Sequence, residues 1–275
     1  MLAITGASGF IGRAVVSEAT HRGLPHRIIG RNQPVPGGVE VILDIAGLAH
    51  SRADEASFMA ANFHRTVALF QSAREQGVKR FIFLSSVAAA TPANAYGRSK
   101  RLAESELLGL AGDAEVVVVR PPLVYGAEAP ATFGLLNRLS RTPLPLPFAS
   151  IRNRRSLVGR ANLVDALLYL ALATSVPSDI YIVTDDRPVS LSEIVTAIRS
   201  ANGCSPHLFA VNASFMRATL AALGLAGMAA QLFDDLVFED SKLRDLGWQP
   251  PLPPLAAREL AAGAEVTNQT GKREV

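Results

Sequence analysis

The chain has 275 residues, enough for one large α/β core or for a core with a smaller lobe. Its 27 Lys and Arg against 24 Asp and Glu leave a net charge of +3, which is too small and dispersed to predict nucleic-acid binding. The single cysteine, Cys204, excludes an internal disulfide and a cysteine-based metal cluster, and it favours a reducing, cytoplasmic compartment. The histidines lack metal-ligand spacing, so no metal site is expected.

The first residues, MLAITGASGFIG, predict a strand that leads directly into a glycine turn, without an export signal. Apolar, β-branched runs then alternate with segments of helical period, as in parallel strands buried between helix layers. The predicted strands are residues 2–5, 26–30, 39–46, 79–85, 115–120 and 179–184, and the predicted helices are 11–22, 55–76, 96–111 and 161–174. We therefore predict an α/β fold with a Rossmann-like, doubly wound parallel sheet.

The sequence becomes Pro-rich and Arg-rich after residue 125, which predicts a second, smaller lobe. We assign 1–125, completed by 161–184, to a dinucleotide-binding domain, 126–160 and 185–262 to a substrate-binding lobe, and 263–275 to a flexible tail. Residues 218–233 are uncharged but shorter than the roughly 20 residues of a membrane-spanning helix. They predict a helical hairpin broken near Gly224 and Gly227, with no integral membrane span.

The segment TGASGFIG places three glycines between a strand and a helix. Gly6 permits a tight turn, Gly9 lets a pyrophosphate approach the backbone, and Gly12 allows close helix packing. This pattern predicts a dinucleotide site. Its candidate contacts are Gly6, Ser8, Gly9, Phe10, Ile11 and Gly12.

The end of the second predicted strand bears on the choice of dinucleotide. NAD-specific sites usually carry an acid there, but no Asp or Glu occurs from Leu24 to Val39. Arg31 stands where a 2′-phosphate would lie and could form a forked hydrogen bond to it. NADP is therefore favoured over NAD, and the alternative is an arginine that is merely solvated.

A possible catalytic set lies in the segment AYGRSK. Tyr96 and Lys100 lie four residues apart on a predicted helix, hence on one face, and Ser86 ends a predicted strand of the same sheet. A tyrosine acting as a base near neutrality needs its pKa lowered by about 3 units, and an ammonium group one turn away could supply part of that. Ser86 could donate a hydrogen bond to a substrate oxygen. The chemistry expected is hydride transfer at a carbinol carbon.

Together with RFIFLSSV, VVVVRPPLVYG, AANFHRTVAL and SKLRDLGWQP, these motifs make residues 1–255 resemble the extended short-chain dehydrogenase/reductase family of NAD(P)-dependent sugar-nucleotide epimerases and dehydratases. The resemblance implies a nucleotide-sugar substrate. Tyr96 would be the acid/base, Lys100 the ribose anchor, and Ser86 the hydroxyl that binds substrate. It also implies Pro121 in the cofactor site and Arg155 on a substrate diphosphate, helped by Arg152 and Arg154. A homodimer is possible, and the sequence does not decide the oligomeric state.

Two segments are shorter than the family pattern. GGVEVILDIAGLAHS offers one strand where the family has two, so Asp44 and Ile45 either contact adenine or begin the second motif, with Ala46 and Gly47 beneath the pyrophosphate. The sheet is therefore expected to lack an edge strand. The loop from Ser86 to Tyr96 is also short, and Val87 and Ala88 replace the acidic pair of dehydratases. This departure disfavours dehydration and leaves epimerisation or ketone reduction.

Two hypotheses from different classes follow. The first is an NAD(P)-dependent epimerase or ketoreductase that acts on a nucleotide-activated sugar. The second is a non-catalytic, dinucleotide-binding structural or regulatory protein with the same fold, which the shortened segments motivate.

Overall fold

A computed structural model describes residues 1–31, 33–49, 53–224, 226–239 and 241–261. The chain divides into two compact units. The first contains Met1–Val124, Arg154–Val189 and Asp235–Pro254, and the second contains Tyr125–Asn153, Ser190–Asp234 and the chain from Leu255 onward. The tail predicted at 263–275 lies outside the described residues, as do Asn32 and His50.

The strands are β1 (Leu2–Thr5), β2 (His26–Ile29), β3 (Val41–Asp44), β4 (Arg80–Leu84), β5 (Glu115–Arg120), β6 (Leu123–Tyr125), β7 (Leu157–Gly159) and β8 (Asp179–Ile182). Within the described residues, six of them form one sheet in the order β2-β1-β3-β4-β5-β8, and every neighbouring pair is parallel. The remaining two, β6 and β7, form a separate pair. The predicted Rossmann-like parallel sheet is confirmed.

Helices cover both faces of this sheet. Its strands are apolar on both sides, so alternate residues enter two cores: Leu2 and Ile4 lie in one, and Ala3 lies in the other. Helices α1 (Phe10–His21) and α6 (Arg160–Leu172) contribute to the first core, and α3 (Arg65–Glu75) and α4 (Ala95–Gly109) to the second. The shorter helices of this unit are α2 (Glu55–Phe58), a π-helix (Met59–His64), a 3₁₀ turn (Val87–Ala89) and α10 (Ser241–Asp245).

The abbreviated segment after β2 explains the missing edge strand. The chain crosses here from β2 to β3, on the other side of β1, and the described residues at 30–31 and 33–40 form no helix or strand. Val35 and Val39 are 6% and 3% exposed and pack into the second core, where a crossover helix would otherwise contribute apolar side chains. β2 is left as the edge of the sheet.

This topology selects a ligand-binding edge. The chain leaves β1 toward β2 on one side, while β3 pairs with β1 on the other side. In open α/β sheets, ligands bind beyond the carboxyl ends of the strands at such a switch point. Gly6 follows β1 and Ile45 follows β3, so both lie at this edge.

The second unit is helical. It contains α5 (Ala131–Ser140), α7 (Leu191–Ala201), α8 (Ala213–Ala222), α9 (Ala226–Phe233) and α11 (Ala257–Leu260). Helix α7 begins with a capping box between Ser190 and Glu193. The predicted hairpin corresponds to α8 and α9, which are separated at Gly224 with φ +74°, while Gly227 lies inside α9. No helix in the described ranges has the length and apolar character needed to cross a membrane.

The unit boundaries differ from those assigned from sequence. Residues 154–160, 185–189 and 235–254 group with the sheet instead of with the second unit, and Tyr125 groups with the second unit. The reason is local pairing: Arg155 N–H donates to the Val189 carbonyl over 2.9 Å, and Ser156 N–H donates to the Leu236 carbonyl over 2.8 Å. Asn162 on α6 also binds the backbone of Leu252.

Arg80 ties β4 to the end of α6, and its loss should destabilise the protein. The buried guanidinium pairs with Glu115 and donates to the carbonyls of Leu170 and Ala173. Because Arg80→Met leaves these carbonyls unpaired, we expect a loss of about 3 kcal/mol in the free energy of unfolding, measured by urea denaturation. Lys79→Met removes an ammonium whose side chain is 76% exposed and should cost less than about 0.5 kcal/mol. Equal losses in the two variants would contradict this role.

Candidate active site

The glycine turn has the geometry of a phosphate cradle. Gly6 adopts φ +67°, and a Cβ there would lie 2.7 Å from the Ala46 nitrogen. A Cβ at Gly12 would overlap the Gly6 carbonyl oxygen. Gly9 is the N-cap of α1, and no described side chain caps this first turn, so its N–H groups can bind an anion. These features fit a dinucleotide pyrophosphate. Ser8 lies in the same turn, and Phe10 and Ile11 are the first two residues of α1.

The pairing of β3 with both β1 and β4 bears on the two readings of Asp44. The strand lies in the middle of the sheet, and Ile45 and Ala46 lie beside Gly6 of the glycine turn. The Asp44 carboxylate is fully buried and is held by Thr5, Arg65 and Thr66. It is therefore enclosed by protein groups, and this geometry argues against an adenine contact by its side chain.

Arg31 is exposed in the turn that follows β2. The Gln33 side-chain oxygen accepts a hydrogen bond from Gly30 N–H over 2.7 Å and closes this turn. Arg31 thus follows the carboxyl end of the strand beside β1, where the ribose of a dinucleotide is read in this type of fold. The geometry is compatible with the predicted 2′-phosphate contact.

The catalytic candidates follow β4 and begin α4. Ser86 is the N-cap of the 3₁₀ turn, and Asn94 caps α4 by accepting a hydrogen bond from Gly97 N–H over 2.9 Å. A Cβ at Gly97 would lie 2.5 Å from the Ala88 carbonyl oxygen, so glycine lets α4 start directly against this turn. The short loop therefore still brings the Ser86 hydroxyl near enough to the Tyr96 phenol to lower its pKa.

Tyr96 titrates above its ordinary range. Burial raises the pKa of its phenol, the hydrogen bond with Ser86 lowers it, and the Glu104 carboxylate raises it further. The sequence had predicted a lowering by Lys100. Among the described groups, the balance instead favours the neutral, protonated phenol.

Lys100 lies one helical turn after Tyr96 but points into the sheet. Its Nζ donates to the Leu84 carbonyl over 2.7 Å and lies 4.5 Å from the centre of the Phe83 ring. Burial lowers the Lys100 pKa from 10.5 to about 8, with Arg65 also lowering it and Asp44 and Glu104 opposing the shift. The ammonium is therefore closer to deprotonation at neutral pH than an ordinary lysine.

A buried ion pair supports the helix that carries Tyr96 and Lys100. Glu104 on α4 is 1% exposed and accepts a hydrogen bond from Arg120 Nε over 2.8 Å, while Arg120 Nη2 binds its second oxygen. The Ser85 hydroxyl also donates to Glu104. This set joins α4 to the ends of β4 and β5. Pro121 follows Arg120, is buried, and accepts a hydrogen bond from Val87 N–H over 3.1 Å.

Asn62 is a fully buried part of the site to which the sequence reasoning gave no role. Its side chain accepts from Leu48 N–H over 2.8 Å and donates to the Leu48 carbonyl and the Ser99 hydroxyl. The motif AANFHRTVAL contained this residue. The π-helix that directs its side chain inward gave no signal in the sequence, although such wide turns often occur at functional sites.

The three arginines of the segment predicted to bind a substrate diphosphate have different surroundings. Arg155 is half-buried beside β7, whereas Arg154 is exposed and lines a separate shallow cavity with Asp186 and Arg244. Arg152 belongs to the second unit. In the described part of the chain, no group of three or more His, Cys, Asp or Glu side chains could hold a metal ion.

The backbone at Gly47 passes close to Lys100 and Asn62. A Cβ there would lie 2.9 Å from Asn62 Oδ1 and 3.2 Å from Lys100 Nζ. Gly47→Ala should therefore displace the ammonium and lower kcat by about 10-fold or more, measured by steady-state kinetics. A Cβ at Gly37 meets nothing within 4 Å, so Gly37→Ala is the matched control and should retain activity. Unchanged turnover in both variants would contradict a close fit at Gly47.

Comparisons with known proteins agree with this geometry. The model of the NAD dependent epimerase/dehydratase family matches residues 33–183. UDP-glucose 4-epimerase of Vibrio cholerae is 32% identical over 77% of this chain and 72% of its own length. Ceramide reductase of Caulobacter vibrioides is 32% identical over 58% of this chain and 56% of its own length. The solved structure of human epimerase family protein SDR39U1 with NADPH superposes with a TM-score of 0.74 at 16% identity, covering 94% of this chain and 97% of that one.

Proposed function

Because the chain belongs to the NAD-dependent epimerase/dehydratase family, we propose that it is an NADP(H)-dependent reductase that converts a keto group of a nucleotide-activated sugar to an alcohol. The observation that carries the proposal is the contact between Ser86 and Tyr96 beside the buried Lys100, at the carboxyl edge of the sheet. A bound nicotinamide would supply the hydride.

The side chains divide the remaining work. The Ser86 hydroxyl donates a hydrogen bond to the substrate carbonyl oxygen and orients it. Tyr96 donates its phenolic proton to the same oxygen as negative charge develops there. Lys100 binds the ribose hydroxyls and stabilises the phenolate that remains. The glycine turn holds the pyrophosphate through backbone N–H groups.

The direction of the reaction follows from the protonation state of Tyr96. A reductase needs a proton donor, and the raised pKa of Tyr96 moves the phenol further from the ionised form that a base requires, so it fits this direction. Dehydrogenation, the first half of an epimerase cycle, needs a base at this position instead. The cofactor argument points the same way, because a reductase exchanges its dinucleotide in each cycle and the position of Arg31 favours NADP(H).

A 4-epimerase is the second candidate. The similarity to the Vibrio cholerae UDP-glucose 4-epimerase, which extends over 236 residues, favours it. The similarity to ceramide reductase of Caulobacter vibrioides favours reduction. The residues after Ser86, Val87 and Ala88, are apolar and give no acid for dehydration.

The test is a screen of the purified protein. UDP-, GDP- and dTDP-sugars and their 4-keto derivatives are incubated with NADPH or NADH, and absorbance of the reduced nicotinamide is followed together with product NMR. Net consumption of NADPH with a new alcohol supports the reductase. Inversion at C4 without net consumption favours the epimerase. Tight dinucleotide binding without any turnover favours the non-catalytic protein.

Arg31 should determine the choice of dinucleotide. An Asp at this position cannot form the forked hydrogen bond to a 2′-phosphate and repels it, while it can accept from the ribose hydroxyls of NADH. We expect Arg31→Asp to lower kcat/KM for NADPH about 10- to 100-fold and to favour NADH in relative terms. Arg27 is exposed on β2, the strand that precedes Arg31, so Arg27→Asp is the control and should preserve the preference for NADPH. An unchanged preference in Arg31→Asp would show that another group reads the phosphate.

A further inference from the structure

We propose that Arg65 is a positioning residue that couples the dinucleotide turn to Lys100 by holding the segment Asp44–Gly47 in place. Of the proposed function, this inference requires only that the protein binds a dinucleotide. It does not depend on the identity of the substrate.

All three nitrogens of the Arg65 guanidinium donate hydrogen bonds. Nη1 and Nη2 each donate to one oxygen of Asp44 over 2.9 Å, and Nη2 also donates to the Ala46 carbonyl over 2.8 Å. Nε donates to the Ala61 carbonyl over 3.1 Å, which fixes the side chain against its own helix. A forked pair of this kind is geometrically specific, and an ammonium cannot reproduce it.

The segment held by Arg65 contacts both functional parts. At one end, the Thr5 hydroxyl donates to Asp44 and accepts from the N–H groups of Ile45 and Ala46. Ala46 lies against Gly6, so its position sets the shape of the glycine turn. At the other end, Gly47 packs against Lys100 Nζ. A shift of this segment would therefore move the pyrophosphate cradle and the lysine together.

The π-helix provides a second hold on the same loop. Asn62 lies within it and binds both backbone groups of Leu48, while Arg65 follows its last residue and binds Ala46. The two side chains thus hold the chain on either side of Gly47. This arrangement gives the irregular helix a role in the site beyond packing.

Arg65 also belongs to the charged surroundings of Lys100. The charged groups that act on the ammonium are Asp44 from β3, Arg65 from α3 and Glu104 from its own helix, and the Tyr96 phenol lies one turn away. Arg65 lowers the Lys100 pKa and Asp44 raises it. Removing the Arg65 charge therefore leaves Asp44 uncompensated, and Lys100 should retain its proton to higher pH.

The experiment measures NADPH affinity by calorimetry across pH, without substrate. In the unmodified protein, affinity should fall as Lys100 loses its proton, with a midpoint near its pKa of about 8. Arg65→Gln should weaken binding about 10-fold or more and move this midpoint upward. Arg65→Lys retains the charge without the fork, so it should weaken binding while leaving the midpoint in place. Arg98→Gln, which breaks an exposed forked pair with Glu55, is the matched control and should change neither quantity.

The outcomes separate a positioning role from a purely structural one. Folded Arg65→Gln, checked by circular dichroism, that binds NADPH within about twofold of the unmodified protein at an unchanged midpoint overturns the proposal. If Arg65→Gln does not fold, Arg65→Lys decides: weakened binding at the original midpoint supports the proposal, and unchanged binding overturns it. Because no substrate is used, failure of the reductase assignment leaves this result interpretable.

Discussion

Tyr96→Phe is expected to lower kcat for ketone reduction about 10³-fold, because the variant keeps the ring and loses the proton donor. The same hydroxyl is the group that Ser86 contacts, so the substrate oxygen also loses an ordered partner. Dinucleotide affinity should change little, because the pyrophosphate is held by the glycine turn. The measurement is single-turnover oxidation of NADPH with the substrate identified by the screen.

The pH dependence of this reaction follows from the raised Tyr96 pKa. The phenol must be protonated to donate, so turnover in the unmodified protein should persist through neutral pH and decline only on the alkaline side.

Tyr181→Phe is the matched control for Tyr96→Phe, because its hydroxyl binds the Pro177 carbonyl outside the site. A Tyr96→Phe variant that retains more than about a tenth of the activity would assign the proton transfer to another group.

The elements that sequence predicted well have strong local signals. The run LAIT, the glycines at 6, 9 and 12 and the apolar period that follows describe β1, its turn and α1, and each follows from short-range steric preferences. The Tyr96 and Lys100 spacing likewise depends only on helical geometry. The strand end at Leu84 and the cap at Asn94 then bring Ser86 to the phenol.

Other features depend on long-range packing that a single sequence does not display. The position of β3 in the sheet required its partners β1 and β4, and local pattern could not decide whether Asp44 faced a ligand or the core. The π-helix at Met59–His64 depends on Asn62 reaching Leu48 and Ser99. The direction of the Tyr96 pKa shift required the burial of the phenol and the position of Glu104, neither of which spacing reveals.

These differences change the mechanistic argument. From the sequence, Lys100 was expected to lower the Tyr96 pKa so that the tyrosine could act as a base, which suits dehydrogenation. In the structure Lys100 donates to the Leu84 carbonyl, and burial raises the pKa of the Tyr96 phenol, which fits proton donation. This electrostatic preparation supports reduction as the proposed direction. Electrostatic preparation of this kind is a common source of rate enhancement.

Lys100→Met should show that this preparation costs stability. In the unfolded chain the lysine keeps its ordinary pKa of 10.5, whereas burial lowers it to about 8 in the fold. Between these values the unfolded state binds more protons, so the Lys100 contribution makes the free energy of unfolding rise with pH. A pKa shift of this size changes the free energy of unfolding by about 3 kcal/mol across the whole pH range that spans both pKa values. Between roughly pH 7 and pH 9.5 the change is about 2 kcal/mol.

The methionine variant lacks this titration. Its free energy of unfolding should therefore exceed that of the unmodified protein at neutral pH, and the difference should shrink as pH rises. Urea denaturation of both proteins at several pH values measures the difference directly. Lys79→Met, at a side chain 76% exposed, should give curves parallel to the unmodified protein. Parallel curves for Lys100→Met would instead mean that the ammonium is solvated in the fold. In the proposed mechanism Lys100 binds the ribose only in its charged form. The burial that fixes the position of this ammonium also destabilises its charge, so the function of the site lowers the stability of the fold.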